Sequence, residues 1–297
     1  MYKKIKEISG HAGAIFATAC DGEFLYTGSA DHFVTRWNIG KGIQDSFSIK
    51  LDQSVYSIEF IQDNILAVGL SNGSVYLFDL NLKQEIKHFT QHIKAVFSIS
   101  SNIPKSQFYI GDADGNLSIW DSKKLELLVY FPLDCGKIRN IHVSNDGELF
   151  VLSCQDGTTR VFETIGFNEI KTIHSHNSGA SISYFHPINP DVLITGGKDA
   201  FLKIWNWKTS ELIKSIPAHN YVIYDICLIE NKSLFVTSSR DKMIKIWNAN
   251  TFEVIQRLDQ KSGGHKHSVN RLTKLSHNSF ASVGDDKKIM IWKNELE

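Results

Sequence analysis

Short runs of alternating apolar and polar residues fill this chain, four to a unit, with turn residues between them. In one unit the runs are Ala180 to Phe185, Val192 to Thr195, Leu202 to Asn206 and Glu211 to Ile216. His186-Pro187-Ile188-Asn189-Pro190 separates the first two, and Gly196-Gly197-Lys198-Asp199 the second and third. An alternation of period two marks a strand with one side turned to a core. Helical spacing lasts no longer than a turn anywhere, so the pattern predicts an all-β protein.

The unit recurs. A strand, an aspartate-bearing turn and a second strand ending on an aromatic residue finish at Trp37, Phe78, Trp120, Phe162, Trp205, Trp247 and Trp292, at intervals of 41, 42, 42, 43, 42 and 45 residues. Six positions before each aromatic stands Asp31, Asn72, Asp114, Asp156, Asp199, Asp241 or Asp286. A period near 42 residues is that of a four-stranded propeller blade. One such sheet cannot bury both its faces alone, whereas seven packed side by side bury one another. The expectation is a single domain over residues 1–297, a seven-bladed β-propeller of four-stranded antiparallel blades. The last unit reaches Trp292-Lys293-Asn294-Glu295-Leu296-Glu297 with no fourth run, while Lys3-Lys4-Ile5-Lys6-Glu7-Ile8 matches the fourth-run phrase Glu211-Leu212-Ile213-Lys214-Ser215-Ile216. Residues 2–8 are therefore expected to complete blade 7 and latch the ring. Asp259-Gln260-Lys261-Ser262-Gly263-Gly264 is a longer connection than its counterparts and reads as a tolerated insertion, its two glycines suggesting mobility.

On these residues the chain resembles the WD40-repeat family over essentially its whole length. Trp120-Asp121 is the signature dipeptide, Gly10-His11 and Gly264-His265 match the family's Gly-His pair, and His92, His176 and His219 hold the same place. The resemblance implies a buried hydrogen-bonded set in each complete blade. These sets are His11, Thr27, Asp31 and Trp37; His176, Thr195, Asp199 and Trp205; His219, Thr237, Asp241 and Trp247; and His265, Ser282, Asp286 and Trp292. Aspartate fixes the histidine tautomer, the other ring nitrogen meets a hydroxyl, and the hydroxyl meets the indole N–H, so every polar group is satisfied. The third blade keeps His92, Asp114 and Trp120 but has Ile110 in the hydroxyl place. The second (Leu51, Val68, Phe78) and fourth (Asp134, Leu152, Phe162) are expected to rely on apolar packing, with Asp156 only a turn former.

Lysine plus arginine equals aspartate plus glutamate, 32 each, so no global field draws the chain to nucleic acid or an anionic membrane. Cys20, Cys135, Cys154 and Cys227 show no zinc-ligand spacing and read as small hydrophobes of a reducing compartment. With no signal-peptide or membrane-spanning run, a cytoplasmic setting is expected, and the sequons at Asn72, Asn116 and Asn231 are chance matches. A His-Asp-hydroxyl set repeated four times is scaffold, since a catalytic constellation occurs once beside an oxyanion hole. His174-Ser175-His176 and His265-Lys266-His267 lack further ligands, and no phosphate loop or nucleophile elbow is present. No metal, cofactor or catalysis is expected.

Function then falls to a rim of loops. The resemblance implies partner docking on the face that carries the turn aspartates, and offsets within the repeat place residues there. Five positions after each histidine place stand Phe16, Tyr56, Phe97, Arg139, Ser181, Tyr224 and Asn270. Lys137 occupies the place three after it, and Lys198, Arg240 and Asp285 precede turn aspartates. Aromatics with arginine around a concavity supply binding energy in protein interfaces. The other reading is that the rings fill gaps between blades and the cations are solvated loop charges. The favoured function is a non-catalytic scaffold for a protein or peptide partner, one with acidic groups among the candidates, the chain itself being a monomer or a subunit of a larger complex. A reader of single-stranded nucleic acid or phosphate is the alternative, and an enzyme with a channel-mouth site the third.

Overall fold

A computed structural model describes residues 1–229 and 233–295; Asn231, Leu296 and Glu297 lie outside them. The chain opens with β1 (Tyr2–Ser9). Blade 1 holds β2 (Ile15–Cys20), β3 (Phe24–Ser29), β4 (Phe33–Asn38) and β5 (Ile43–Lys50), and blade 2 holds β6 (Val55–Gln62), β7 (Ile65–Leu70), β8 (Val75–Asp79) and β9 (Gln84–Phe89). Blade 3 holds β10 (Val96–Asn102), β11 (Gln107–Asp112), β12 (Asn116–Asp121) and β13 (Glu126–Pro132). Blade 4 holds β14 (Ile138–Val143), β15 (Leu149–Cys154), β16 (Thr158–Glu163) and β17 (Glu169–His174). Blade 5 holds β18 (Ala180–Phe185), β19 (Val192–Gly197), β20 (Phe201–Asn206) and β21 (Glu211–Pro217). Blade 6 holds β22 (Ile223–Ile229), β23 (Leu234–Ser239), β24 (Ile244–Asn248) and β25 (Val254–Leu258), and blade 7 holds β26 (Val269–Ser276), β27 (Ser279–Gly284) and β28 (Lys288–Asn294).

Seven four-stranded antiparallel sheets result, and the protein is an all-β, seven-bladed β-propeller. Blade 7 takes its outer strand from the start of the chain: β1 pairs antiparallel with β28 from Tyr2↔Asn294 to Ser9↔Lys288. Tyr2 is buried, its ring 5.5 Å from that of Phe280. Burying an aromatic ring at the end of the strand gives the closure an apolar anchor besides its ladder.

Tertiary contacts divide the chain into two compact units, Met1–Val55 with His219–Glu297, and Tyr56–Ala218. In the first, Ile8, Ile15, Leu25, Trp37, Ala281, Val283, Ile289 and Ile291 form one core cluster, and blades 6 and 7 share another around Val236, Ile246, Phe280 and Trp292. In the second, one cluster runs between blades 2 and 3, one between blades 3 and 4 and one between blades 4 and 5. Middle strands such as β19 are buried along their whole length, because a sheet covered on both faces has no polar side. Its strand takes in Gly196 and Gly197, which the sequence places in the turn. Outer strands such as β21 are mostly exposed.

The turn after each second strand has one backbone form. The residue following the turn aspartate or asparagine has positive φ in all seven: His32, Gly73, Gly115, Gly157, Ala200, Lys242 and Lys287. Only three are glycine, and the other four sit in a region that disfavours L side chains. What holds them is the preceding carboxylate, as Asp31 Oδ1 accepts from Phe33 N at 3.1 Å and Asp241 Oδ1 from Met243 N at 3.0 Å. Asp259–Gly264, where two glycines suggested mobility, forms a 3-10 turn (Gln260–Ser262) closed by reciprocal bonds between Asp259 and Ser262. Among the described residues no helix is long and apolar enough to cross a membrane.

Candidate partner-binding surface

Four blades carry the same buried chain of bonds. In blade 1, His11 Nδ1 meets Asp31 Oδ2 at 2.7 Å, Nε2 meets Thr27 Oγ1 at 2.7 Å, and the Trp37 indole N–H donates to that hydroxyl at 2.7 Å. Blade 5 repeats it through His176, Asp199, Thr195 and Trp205, blade 6 through His219, Asp241, Thr237 and Trp247, and blade 7 through His265, Asp286, Ser282 and Trp292. Because a carboxylate only accepts and an indole only donates, the proton of the neutral imidazole belongs on Nδ1. Burial pushes Asp31, Asp199, Asp241 and Asp286 up, but the hydrogen bonds from histidine and from backbone amides, with the attraction of the ring when it is protonated, together outweigh it and leave each below the usual carboxylate range. For His219, burial pushes the pKa down against the pull of Asp241. Gly197 leaves room for the ring, since a Cβ there would stand 2.4 Å from His176 Cγ.

Blade 3 corrects the repeat offset. Asp114 is not the partner of His92; Asp112 is, at 2.8 Å. The hydroxyl comes from Ser118, 2.7 Å from His92 Nε2 and 2.8 Å from the Trp120 indole nitrogen. Ile110 and Ser118 are direct partners across β11 and β12, so their side chains share a face and the hydroxyl crosses to the next strand without leaving the space between histidine and indole. Asp112 lies two residues beyond Ile110 on the same face, and accepts from Asp114 N and Asn116 N, both at 2.9 Å. In blade 4, Phe150 stacks on Phe162 at 5.0 Å and Asp156 accepts from Thr158 N at 2.8 Å, while hydroxyls of Ser153, Thr159, Ser175 and Ser183 link into a buried string.

The rim residues start from a bulge. In β2 the register passes from Ile15↔Ser29 to Ala17↔Gly28, with Phe16 as the extra residue of a bulge. The same skip leaves out Phe97, Arg139, Ser181, Tyr224 and Asn270. A bulge re-aims the side chain it carries, which gives this offset its physical meaning. In blades 3, 4 and 6 the next residue bonds the neighbouring blade: Ser98 Oγ accepts from Ile141 N at 3.0 Å, Asn140 Oδ1 from Ser183 N at 3.2 Å, and Asp225 Oδ2 from Leu272 N at 2.8 Å. Sequence reasoning passed over these clamps, although Asp225 is a lone charged residue in an otherwise apolar strand. Backbone bonds join the two remaining rim positions of a blade, as in Gln155 N to Lys137 O at 2.9 Å and Lys198 N to Gly179 O at 3.0 Å.

Within the Tyr56–Ala218 unit the rings and cations converge. Tyr56 stacks on Phe97 with centroids 5.4 Å apart and planes 8° from parallel. Arg139 Cζ stands 4.8 Å from the Phe97 centroid and Lys137 Nζ 5.6 Å from it. These three side chains and Tyr56 are half-buried, and Lys198 is exposed on the next blade. The ring of Phe97 is thus already engaged by the protein's own cations. In the other unit Phe16 and Tyr224 are half-buried and Arg240 is exposed. Asn270 donates to Ile15 O at 2.9 Å and to Asp285 Oδ1 at 2.8 Å, so those two side chains hold each other and blade 1. Among the described residues no group of three or more His, Cys, Asp or Glu is placed to hold a metal ion. His174 and His267 are exposed while His176 and His265 are bound in their blades.

Seven repeated four-stranded blades, five of them held by internal histidine chains, with bulged strand ends that carry unlike side chains, define a β-propeller whose rim differs from blade to blade. The family of the WD domain, G-beta repeat, matches residues 2–38, 83–121, 167–206, 210–248 and 256–293. The chain belongs to the WD40 family. It is similar to the GATOR2 complex protein WDR24 of Xenopus laevis, at 23% identity over 63% of this chain and 24% of that protein. It is also similar to the U3 small nucleolar RNA-associated protein 15 homolog of Gallus gallus, at 25% over 55% and 31%. Eukaryotic translation initiation factor 3 subunit I of Drosophila grimshawi is 24% identical over 67% of this chain and 65% of its own length. The chain therefore spans less than two thirds of each of these relatives.

Proposed function

We propose that this protein is a non-catalytic interaction scaffold that captures an acidic segment of a protein partner on the surface formed by Tyr56, Phe97, Lys137, Arg139 and Lys198. The observation that carries the reading is the placing of Arg139 and Lys137 over Phe97, itself stacked on Tyr56. Cations held against a ring have spent part of their rotamer freedom before a ligand arrives, and that preorganisation lowers the cost of binding. Phe16, Tyr224 and Arg240 hold the matching places in the other unit, and we assign them the same use there. Two relatives are named as a complex protein and a subunit, which supports membership of an assembly. Four free cysteines fit a cytoplasmic setting.

Affinity capture with the tagged full chain tests this. Phe97→Ala and Arg139→Glu should each weaken capture by roughly thirtyfold, as expected of an interface position contributing about 2 kcal/mol, with a Tm close to that of the unsubstituted protein. Capture at undiminished strength by both variants removes this surface. A stack of rings and an arginine also suits unpaired bases, and one relative is named for its association with an RNA. Steeply salt-dependent binding of an arbitrary oligonucleotide, lost in Arg139→Glu, would favour that second reading.

A further inference from the structure

The turns that join the first and second strands of blades 2 to 5 lie at the opposite end of the Tyr56–Ala218 unit from the aspartate turns, because successive turns of a meander alternate ends. Three clefts open there in a row. One of about 420 Å³ is lined by Asp63, Asn64, Asp79, Asn81, Lys123 and Ile103, among others. The next, about 320 Å³, begins at the same Ile103 and ends at Ser144 and Asn145. A third, about 190 Å³, begins at those two residues and reaches Ile188 and Pro190. Shared wall residues set them side by side, a row of clefts along three blade junctions.

We infer that this row of clefts is a docking groove for an extended, basic segment of a partner protein. Its shape selects the occupant: each cleft is small, and the run is long and narrow, which suits a peptide strand better than a compact ligand. Apolar contacts stand at intervals, with Ile103 58% and Ile188 56% exposed. The side-chain amides of Asn64 and Asn81 in the first cleft, and of Asn145 where the second meets the third, have no hydrogen-bond partner among the described residues. An amide carries both donor and acceptor, the pair needed to bond a peptide backbone in extended form. The charge is acidic. Lys105 and Glu148 pair at 2.7 Å and cancel, and the first cleft is lined by one cation, Lys123, against two carboxylates, Asp63 and Asp79. Asp146 faces the third cleft, held below the usual carboxylate range by its bond from Ser144 and the amide of Glu148. In the wall of the middle cleft, half-buried His142 lies against Tyr184 with centroids 3.5 Å apart and is pushed down to about 3 by desolvation, so it adds no positive charge there.

A displayed library of random 12-residue peptides, selected on the intact protein, is the test. The expected result is enrichment of sequences that mix lysine or arginine with aliphatic residues. One of them, synthesised, should bind at least tenfold more weakly to Asn145→Arg and to the double variant Ile103→Asp with Asn145→Arg, and unchanged to Arg139→Glu. Urea midpoints equal to that of the unsubstituted protein would show that these turn variants fold, with Asn145→Arg alone serving if the double variant does not. Absence of enrichment over bare matrix, or equal binding to the groove variants, overturns the inference. Enrichment of acidic peptides lost in Arg139→Glu would support the aromatic and basic surface and refute the groove.

Discussion

Ser118 keeps the histidine of the third blade satisfied with an atom from the wrong strand, and that exchange can be measured. Its hydroxyl is fully buried and meets both His92 Nε2 and the Trp120 indole. Ser118→Ala would strand both, and should cost about 1–3 kcal/mol in urea denaturation, the penalty of leaving buried polar groups unpaired. Asp114→Ala, at an exposed side chain, should stay within about 0.5 kcal/mol. The reverse order would return the network to the residues counted from the repeat. Acid acts on the same sets. Asp31, Asp112, Asp199, Asp241 and Asp286 all have depressed pKa values in the folded state, so their stabilisation is whole above the unfolded value near 3.9 and is lost as pH falls through the folded values. His219, also depressed, withdraws support earlier, from about pH 6.5 downward. Asp225, raised by burial against the nearby Arg271, runs the other way. Asp241→Asn should therefore lower the urea midpoint at pH 7, and the gap to the unsubstituted protein should narrow by pH 3. A gap of constant size would break the link between this carboxylate and acid unfolding.

At the scale of strands, the bulge in the innermost strand of blades 3, 4 and 6 separates two tasks. The bulged residue faces the rim and the one after it grips the next blade, so Phe97 and Ser98, or Tyr224 and Asp225, are neighbours in sequence with unlike work. Counting found the first of each pair but gave no reason for it, and it missed the second because a clamp exists only where two strands from different repeats meet. The closing strand is the other element with a distinct role. Removing residues 1–8 would uncover the edge of β28, take away the Tyr2 ring from Phe280, and expose unpaired ladder groups. Hydrogen exchange should then rise across blade 7 while the middle strands of blades 3 and 4 keep their protection. Unchanged exchange in β28 would mean that β1 contributes nothing to holding the last blade.

Over the whole molecule, zero net charge conceals local imbalance. Within the Tyr56–Ala218 unit one end gathers Lys137, Arg139 and Lys198, while clefts at the other collect Asp63, Asp79 and Asp146. No composition figure separates those ends, since both draw on the same repeats. The division of contacts into two units, one built from both chain ends and one from the middle, is likewise a property of packing.

The sequence by itself determined the seven sheets, their order, the strand borrowed from the start of the chain and the complete histidine sets of blades 1, 5, 6 and 7. Each follows from a period, and a period is written in the order of residues. Tertiary structure decided the rest. Ser118 and Asp112 replaced the expected residues because register brings atoms together across strands regardless of their place in the repeat. The Phe97 ring acquired its cations because a bulge turned it toward blade 4, and the row of clefts exists only where turns from successive blades lie side by side.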